Sequence, residues 1–347
     1  MENTAAILIS PGDIQIQKVP IPDVKEDEVL IRVEYVGICG SDIHAFKFGP
    51  YIPPVNKETR IGLGHECSGE IINCGKNVSS LCIGDKVVIE PGIPCGKCKY
   101  CLEGHYNLCI KMDFLATQPN YRGALTEYIS FPERSTFKLP ENINTLEAAL
   151  IEPAAVGLHA ALKANVIPGK NIVILGGGFI GMMTMLACKL MGVSKIIVVD
   201  ILDSRLNLAN SLGASQIINS KKDDLIDMIF EYTEKKGADI VFETAGSAET
   251  AKKASSIVAR GGRIMIVGTI AEDIPINFLK INKEITIQTV FRYANTFPLV
   301  IDAIASGRLE LESLISKVFN YSLTQDAFKE ITIQPEKIFK AVINVSR

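Results

Sequence analysis

Three consecutive glycines stand between two apolar runs of different length, and this junction constrains the chain more than any other feature. The run over 172–175 has the length of a strand and that over 179–191 the length of a helix. Between them Gly176, Gly177, Gly178, Phe179, Ile180 and Gly181 satisfy GxGxxG. An acid, Asp200, closes the next strand-like run over 196–200, 19 residues after Gly181. The alternation continues with a helix opened by Asp203 or Ser204, a strand near 216–218, a helix near 223–235, a strand over 239–243, a helix over about 249–258 and a strand over 263–267. Such alternation predicts an α/β fold, a doubly wound parallel sheet covered on both faces. In it Gly176 makes the tight turn, Gly178 admits a pyrophosphate and Gly181 lets helix and strand pack closely, while N–H groups at the helix start meet phosphate. Asp200 then accepts from ribose hydroxyls. A carboxylate there repels a 2′-phosphate, so NAD is expected over NADP, although Arg205 reaches the same region and Asp200 also has the chemistry of a cap for the following turn.

The first 150 residues differ in texture. Short strand patterns over 6–9, 29–36, 67–74 and 86–89 are separated by Gly, Pro and Asp turns, which predicts a mainly β domain. A chain of 347 residues exceeds what one core usually serves, so two domains are expected. Apolar content of 47% and charged content of 22% suit a globular protein. A formal charge of −3 without blocks of like charge gives no reason to expect nucleic acid or an anionic membrane as partner. Residues 1–9 lack a basic region followed by an apolar stretch, so a cytoplasmic protein is expected. The uncharged stretch 171–188 is divided by the glycines and does not read as a membrane span.

Four of the nine cysteines, Cys95, Cys98, Cys101 and Cys109, fall in fifteen residues as CxxCxxCx7C. One short loop with this spacing surrounds a tetrahedral Zn²⁺ with four sulfurs at about 2.3 Å, a closed structural site. A second set of donors precedes it, Cys39 in GICGSDIH and the pair His65 and Glu66 in GLGHECSG. Thiolate, imidazole and carboxylate together bind zinc while leaving a position open, as a catalytic site must. Isolated residues of these types are more often core or surface, so spacing alone leaves the second set as candidates.

The chain resembles the zinc-containing medium-chain dehydrogenases, and among them most resembles sorbitol (L-iditol, xylitol) dehydrogenases. The resemblance runs through GICGSDIH at 37–44, GHE at 64–66, the cysteine loop, IEPAAVGLHA at 151–160, the glycine turn and VFRYANT at 290–296. It implies a GroES-like catalytic domain over 1–152, with 291–347 returning to it, and a dinucleotide-binding domain over 153–290. It implies Cys39, His65 and Glu66 as catalytic zinc ligands, with Glu152 approaching the metal directly or through water. Asp42 would orient an imidazole ligand. Ser41 and His44 match a proton path to solvent, Arg292 and Tyr293 line the polyol pocket, and Phe291, Val267, Gly268 and Thr269 fall where nicotinamide packs.

The implied reaction is oxidation of a secondary hydroxyl of sorbitol, xylitol or L-iditol to the ketose, with hydride passed to NAD, in a homo-oligomer of two or four chains. A second hydroxyl of the polyol would meet Glu152 or Arg292, unless Arg292 instead pairs with Glu152 or Glu66. Zinc lowers the pKa of a hydroxyl from about 16 to about 7, roughly 12 kcal/mol. Two departures bear on substrate. Ala45 stands where animal sorbitol dehydrogenases carry a tyrosine, and the complete cysteine loop resembles plant and microbial members. Dehydrogenases of 2,3-butanediol, threonine or galactitol 1-phosphate are the alternatives, with a non-catalytic nucleotide-binding member behind them. Cys67, Cys74, Cys82 and Cys188 read as small core residues.

Overall fold

A computed structural model describes residues 2–56, 58–279 and 281–346. The chain forms two compact units, Met1–Glu152 with Phe297–Arg347, and Pro153–Thr296. The division falls inside the helix Ile151–Lys163.

In the second unit, among the described residues, six strands form one sheet in the order Gln216–Asn219, Lys195–Asp200, Asn171–Leu175, Ala238–Glu243, Val258–Ile266 and Thr286–Thr289, every neighbouring pair parallel. The chain enters at Asn171–Leu175, builds outward on one side, then returns to build the other. The switch point therefore lies between Asn171–Leu175 and Ala238–Glu243, where open parallel sheets bind ligands. Val173, Leu175, Ile197, Val199, Ile218 and Val241 are buried together and need helices above them.

Local chemistry corrects several boundaries. The helix expected near 223–235 is Leu225–Tyr232: Asp224 caps it by accepting from the N–H groups of Ile226 and Asp227 at 2.9 and 3.0 Å, and Glu234 and Lys235 take positive φ just beyond its end. Neither Asp203 nor Ser204 caps the helix Asp203–Ser211, whose N-cap is Leu202; Asp203 instead accepts from Asn219 and Lys222. The strand Val258–Ile266 begins earlier than 263, directly at the end of the helix Ala248–Ile257. The edge strand Thr286–Thr289 has no expected counterpart, because TIQT is largely exposed and carries no apolar alternation.

The first unit is mainly β. Among its described residues a seven-stranded sheet runs in the order Thr136–Lys138, Lys86–Ile89, Glu66–Cys74, Glu28–Gly37, Ala341–Asn344 and Lys317–Asn320, with Tyr128–Pro132 also paired to Glu28–Gly37. A smaller sheet joins Asp13–Val19, Asn3–Ser10 and Ile61–Gly62. Val29, Ile31, Val33, Val36, Ile71, Val87, Ile89 and Phe131 fill the core. The helix Thr324–Ile333 packs Phe328 against Phe46 of the helix Gly40–Phe48, ring centroids 5.5 Å apart. Among the described residues no helix is long and apolar enough to cross a membrane.

Phe328 is fully buried and braces the helix that begins at Cys39. Phe328→Ala is expected to cost about 3–5 kcal/mol, read as a lowered urea midpoint by circular dichroism; a loss below about 1 kcal/mol would show that this packing is not needed.

Candidate active site

The cysteine loop is built so that backbone N–H groups turn inward onto sulfur. Cys95 and Lys111 each donate an N–H to Cys109 Sγ, at 3.3 and 3.4 Å. The N–H groups of Lys97 and Cys98 pull the Cys95 thiol down to about 6, and that of Cys101 lowers Cys98, whereas burial and the neighbouring Cys98 sulfur push Cys101 up to about 12. Thiolate and thiol thus share protons where a cation would replace them. A tetrahedral zinc with bonds of about 2.3 Å requires sulfurs about 3.8 Å apart. Cys98 and Cys101 stand at 3.5 Å, Cys95 and Cys101 at 4.0 Å, and all four sulfurs lie within 4.8 Å of one another, so the loop fits the ion. Of the other cysteines, Cys67 and Cys188 are buried and Cys74 half-buried, but Cys82 is exposed. It opens a turn, its N–H held by Asp85 at 2.9 Å, so it cannot join the core.

A second group joins Cys39, His65 and Glu66, ligand atoms again within 4.8 Å. Strand pairing brings them together. Gly37, at the end of Glu28–Gly37, is opposite Glu66, the first residue of Glu66–Cys74. Cys39 follows the first strand as N-cap of the helix Gly40–Phe48, and His65 immediately precedes the second. A Cβ at 37 would run into Glu66 Oε2, so a larger residue there would displace that carboxylate. Asp42 ties the segments by accepting from Cys39 N at 3.0 Å and Gly64 N at 2.9 Å; its carboxylate stands 3.9 Å from His65 Nδ1, an ion-pair separation rather than a hydrogen bond. Burial opposes charge on the His65 ring, yet Asp42, Cys39 and Glu152 outweigh it and hold its pKa well above the ordinary histidine value. A buried spot that draws a proton this strongly suits a divalent cation, with neutral imidazole as ligand. Glu152, second residue of the helix Ile151–Lys163, is buried and acts on His65, but lies outside the 4.8 Å group.

The structure adds a residue that the sequence did not mark. Lys340, 3% exposed, donates to Glu66 Oε2 at 2.5 Å and to the Ile38 carbonyl at 3.0 Å. The ion-pair partner of Glu66 is this lysine, delivered by the strand Ala341–Asn344 on the far side of Glu28–Gly37. A lysine ahead of a short apolar strand carries no signal of such a role. Ser41 is exposed and His44 half-buried, both on the helix that Cys39 opens. Ala45 points into the core.

In the nucleotide unit Gly176 has φ +105°, and a Cβ there would stand 2.7 Å from Ala245 N. A Cβ on Gly181 would run into the Gly176 carbonyl, while the space beside Gly178 is open, a cradle of the kind a pyrophosphate fills. Gly178 is the N-cap of the helix Phe179–Leu190, with no side-chain cap, so its first N–H groups are available to an anion; Phe179 and Ile180 form its first turn. Asp200, at the end of Lys195–Asp200, accepts from Gly177 N at 2.7 Å, Ile201 N at 2.7 Å and Leu202 N at 2.9 Å, and Arg205 approaches it at 3.5 Å. It therefore braces both the glycine turn and the turn that follows it. Val267 and Gly268 follow the strand Val258–Ile266 and donate to the Glu243 carbonyl at 2.8 and 2.9 Å; Thr269 is exposed. Tyr293 is buried, and the Arg292 guanidinium lies 4.9 Å over the half-exposed Phe291 ring.

Residues 25–141 match the alcohol dehydrogenase GroES-like domain and residues 180–306 the zinc-binding dehydrogenase domain. The chain belongs to the zinc-type alcohol dehydrogenase family, whose members are NAD(P)-dependent, and zinc and a nicotinamide dinucleotide are its cofactors. It is 56% identical over 346 residues, the whole of both chains, to the uncharacterized zinc-type alcohol dehydrogenase-like protein YdjJ of Escherichia coli. Sorbitol dehydrogenase of Bacillus subtilis is 40% identical over 348 residues, covering 99% of this chain and 97% of that one. A crystal structure of an Escherichia coli oxidoreductase/dehydrogenase of unknown specificity involved in membrane biogenesis, 56% identical, agrees with a TM-score of 0.98 over the whole of both chains.

Cys98→Ser is expected to reduce bound zinc from about two ions per chain to about one and to lower the melting temperature, checked by metal analysis and calorimetry. Lys340→Met leaves the Glu66 carboxylate buried without its partner. The loss is expected to be about 3–5 kcal/mol in metal-free protein and smaller with zinc bound. Denaturation with and without a chelator measures both, and equal losses would sink the idea.

Proposed function

We propose that the chain oxidises a secondary hydroxyl of a polyol of the sorbitol, xylitol and L-iditol class to the ketose, with NAD⁺ taking the hydride. The observation that carries this reading is the joining of thiolate, imidazole and carboxylate in one buried group, Cys39, His65 and Glu66. Three donors leave a fourth tetrahedral position open. The 40% identity to a sorbitol dehydrogenase across nearly the whole chain, and VFRYANT at 290–296, support a polyol.

When bound, zinc acidifies a hydroxyl brought to it and nicotinamide accepts hydride. The chain's own residues do the rest. Cys39, His65 and Glu66 hold the metal, and Lys340 offsets the charge of Glu66. Ser41 and His44 carry the hydroxyl proton along the helix Gly40–Phe48 toward solvent. Glu152 accepts from a neighbouring hydroxyl of the diol, and Arg292 and Tyr293 are assigned to polyol recognition. In the nucleotide unit the turn from Gly176 to Gly181 receives the pyrophosphate, Asp200 the ribose hydroxyls, and Val267, Gly268, Thr269 and Phe291 the nicotinamide. The Asp200 carboxylate, held in place by three backbone N–H groups, would repel a 2′-phosphate, which supports NAD.

NAD⁺ reduction is expected with sorbitol or xylitol and is expected to stop on adding a zinc chelator. Cys39→Ser should remove one zinc and at least about 10³-fold of activity. Turnover confined to 2,3-butanediol, L-threonine or galactitol 1-phosphate would overturn the polyol assignment.

A further inference from the structure

The helix Gly40–Phe48 runs directly into a stretch of exposed apolar side chains, among them Phe48, Tyr51, Ile52 and Val55. Burial cannot explain why these residues are apolar. One of them is fixed. Tyr51 folds back over the helix and lies flat on the His44 imidazole, ring centroids 3.6 Å apart and planes within 12°, while 54% of the tyrosine stays accessible. Phe48 packs on the same imidazole at 5.3 Å, tilted by 57°. The stretch is pinned from outside by Tyr121, whose hydroxyl donates to the Ile52 carbonyl at 2.7 Å.

The stack has a polar cost. His44 Nδ1 is buried and has no hydrogen-bond partner among the described residues. A histidine packed by two aromatic rings at that cost is held for its orientation. Tyr51 is also within electrostatic reach of Cys39, and its phenol, neutral at physiological pH, can donate a hydrogen bond. A tyrosine whose ring is pinned and whose edge is open is a rigid amphipathic contact with little rotamer freedom to lose on binding.

We propose that Tyr51 determines specificity in this reaction: its ring face orients His44, and its hydroxyl hydrogen-bonds a polyol hydroxyl other than the one being oxidised. The second half rests on the polyol reading. A polyol carries a hydroxyl beside each reacting one, so it can meet the phenol wherever oxidation occurs. A simple secondary alcohol has none to offer and gains nothing from Tyr51.

The test compares wild type, Tyr51→Phe and Tyr51→Leu as full-length, zinc-loaded chains with NAD⁺, using sorbitol and 2-propanol. In parallel, acylation of His44 by diethylpyrocarbonate is followed by mass spectrometry in metal-free protein. Tyr51→Phe keeps the stack and removes the hydroxyl. It is expected to raise the sorbitol KM about tenfold relative to the 2-propanol KM, with His44 acylated at the wild-type rate. Tyr51→Leu removes both contacts and is expected to acylate His44 about tenfold faster and to shift the pH profile of kcat. An unchanged ratio of sorbitol to 2-propanol KM in Tyr51→Phe, with wild type active on sorbitol, overturns the hydroxyl contact and leaves the polyol reading standing. No turnover of any polyol by wild type overturns both together. Unchanged His44 reactivity in Tyr51→Leu overturns the orienting role.

Discussion

The candidate metal centre of the first unit rests on the register in which Glu28–Gly37 pairs with the strands on either side of it. Gly37 is opposite Glu66 on one flank and opposite Val342 on the other. Side chains in a strand alternate between faces, so a slip of one residue on either side would carry Glu66 or Lys340 to the wrong face. With the register held, three groups far apart in sequence meet without any loop having to search. Cys39 lies just past one strand, His65 just before the second and Lys340 just before the third. Gly37 gives up its side chain so that the Glu66 carboxylate can occupy that space.

Charge is balanced in the same compact way. As zinc ligands Cys39 and Glu66 would both be anionic and would match the two charges of the ion, and Lys340 stands behind Glu66 with Asp42 and Glu152 close by. A carboxylate buried as deeply as Glu66 needs a cation beside it in every state of the protein. Lysine supplies one whether or not the metal is present. The nucleotide unit solves a similar problem differently: Asp200 is held by three backbone N–H groups, with Arg205 only at the limit of contact. One carboxylate is held by a salt bridge, the other by the turns it organises.

What could be read in the sequence was whatever is local. The glycine turn, the cysteine loop and the strands Asn171–Leu175 and Lys195–Asp200 each carry their pattern within fifteen residues, and the parallel sheet follows from the alternation of strands and helices. The pairing of Cys39 with His65 and Glu66 was reached through resemblance, because spacing does not reveal a register. Lys340 was out of reach for the same reason: its partner lies 274 residues away, and nothing beside it in sequence distinguishes it from a surface lysine. The edge strand Thr286–Thr289 was missed because half of its surroundings are solvent. Ala45 shows a subtler limit. The animal enzymes carry a tyrosine at this position; here the helix turns the alanine into the core, while Tyr51, six residues on, reaches His44.

The position of Lys340 also bears on the order in which the chain is made. A ribosome delivers Cys39, His65, Glu66 and Glu152 early, and the whole nucleotide unit next. The lysine that neutralises Glu66, and the strand that closes the far side of Glu28–Gly37, come only after residue 339. Until then the candidate ligands carry an excess of negative charge, and on the flank where Tyr128–Pro132 pairs Glu28–Arg32 the end of the strand over Tyr35–Gly37 lacks its partner. Completion of the first unit therefore waits for a segment made after the whole nucleotide unit, and a metal ion met before that would meet a more anionic and more open site than the finished fold offers.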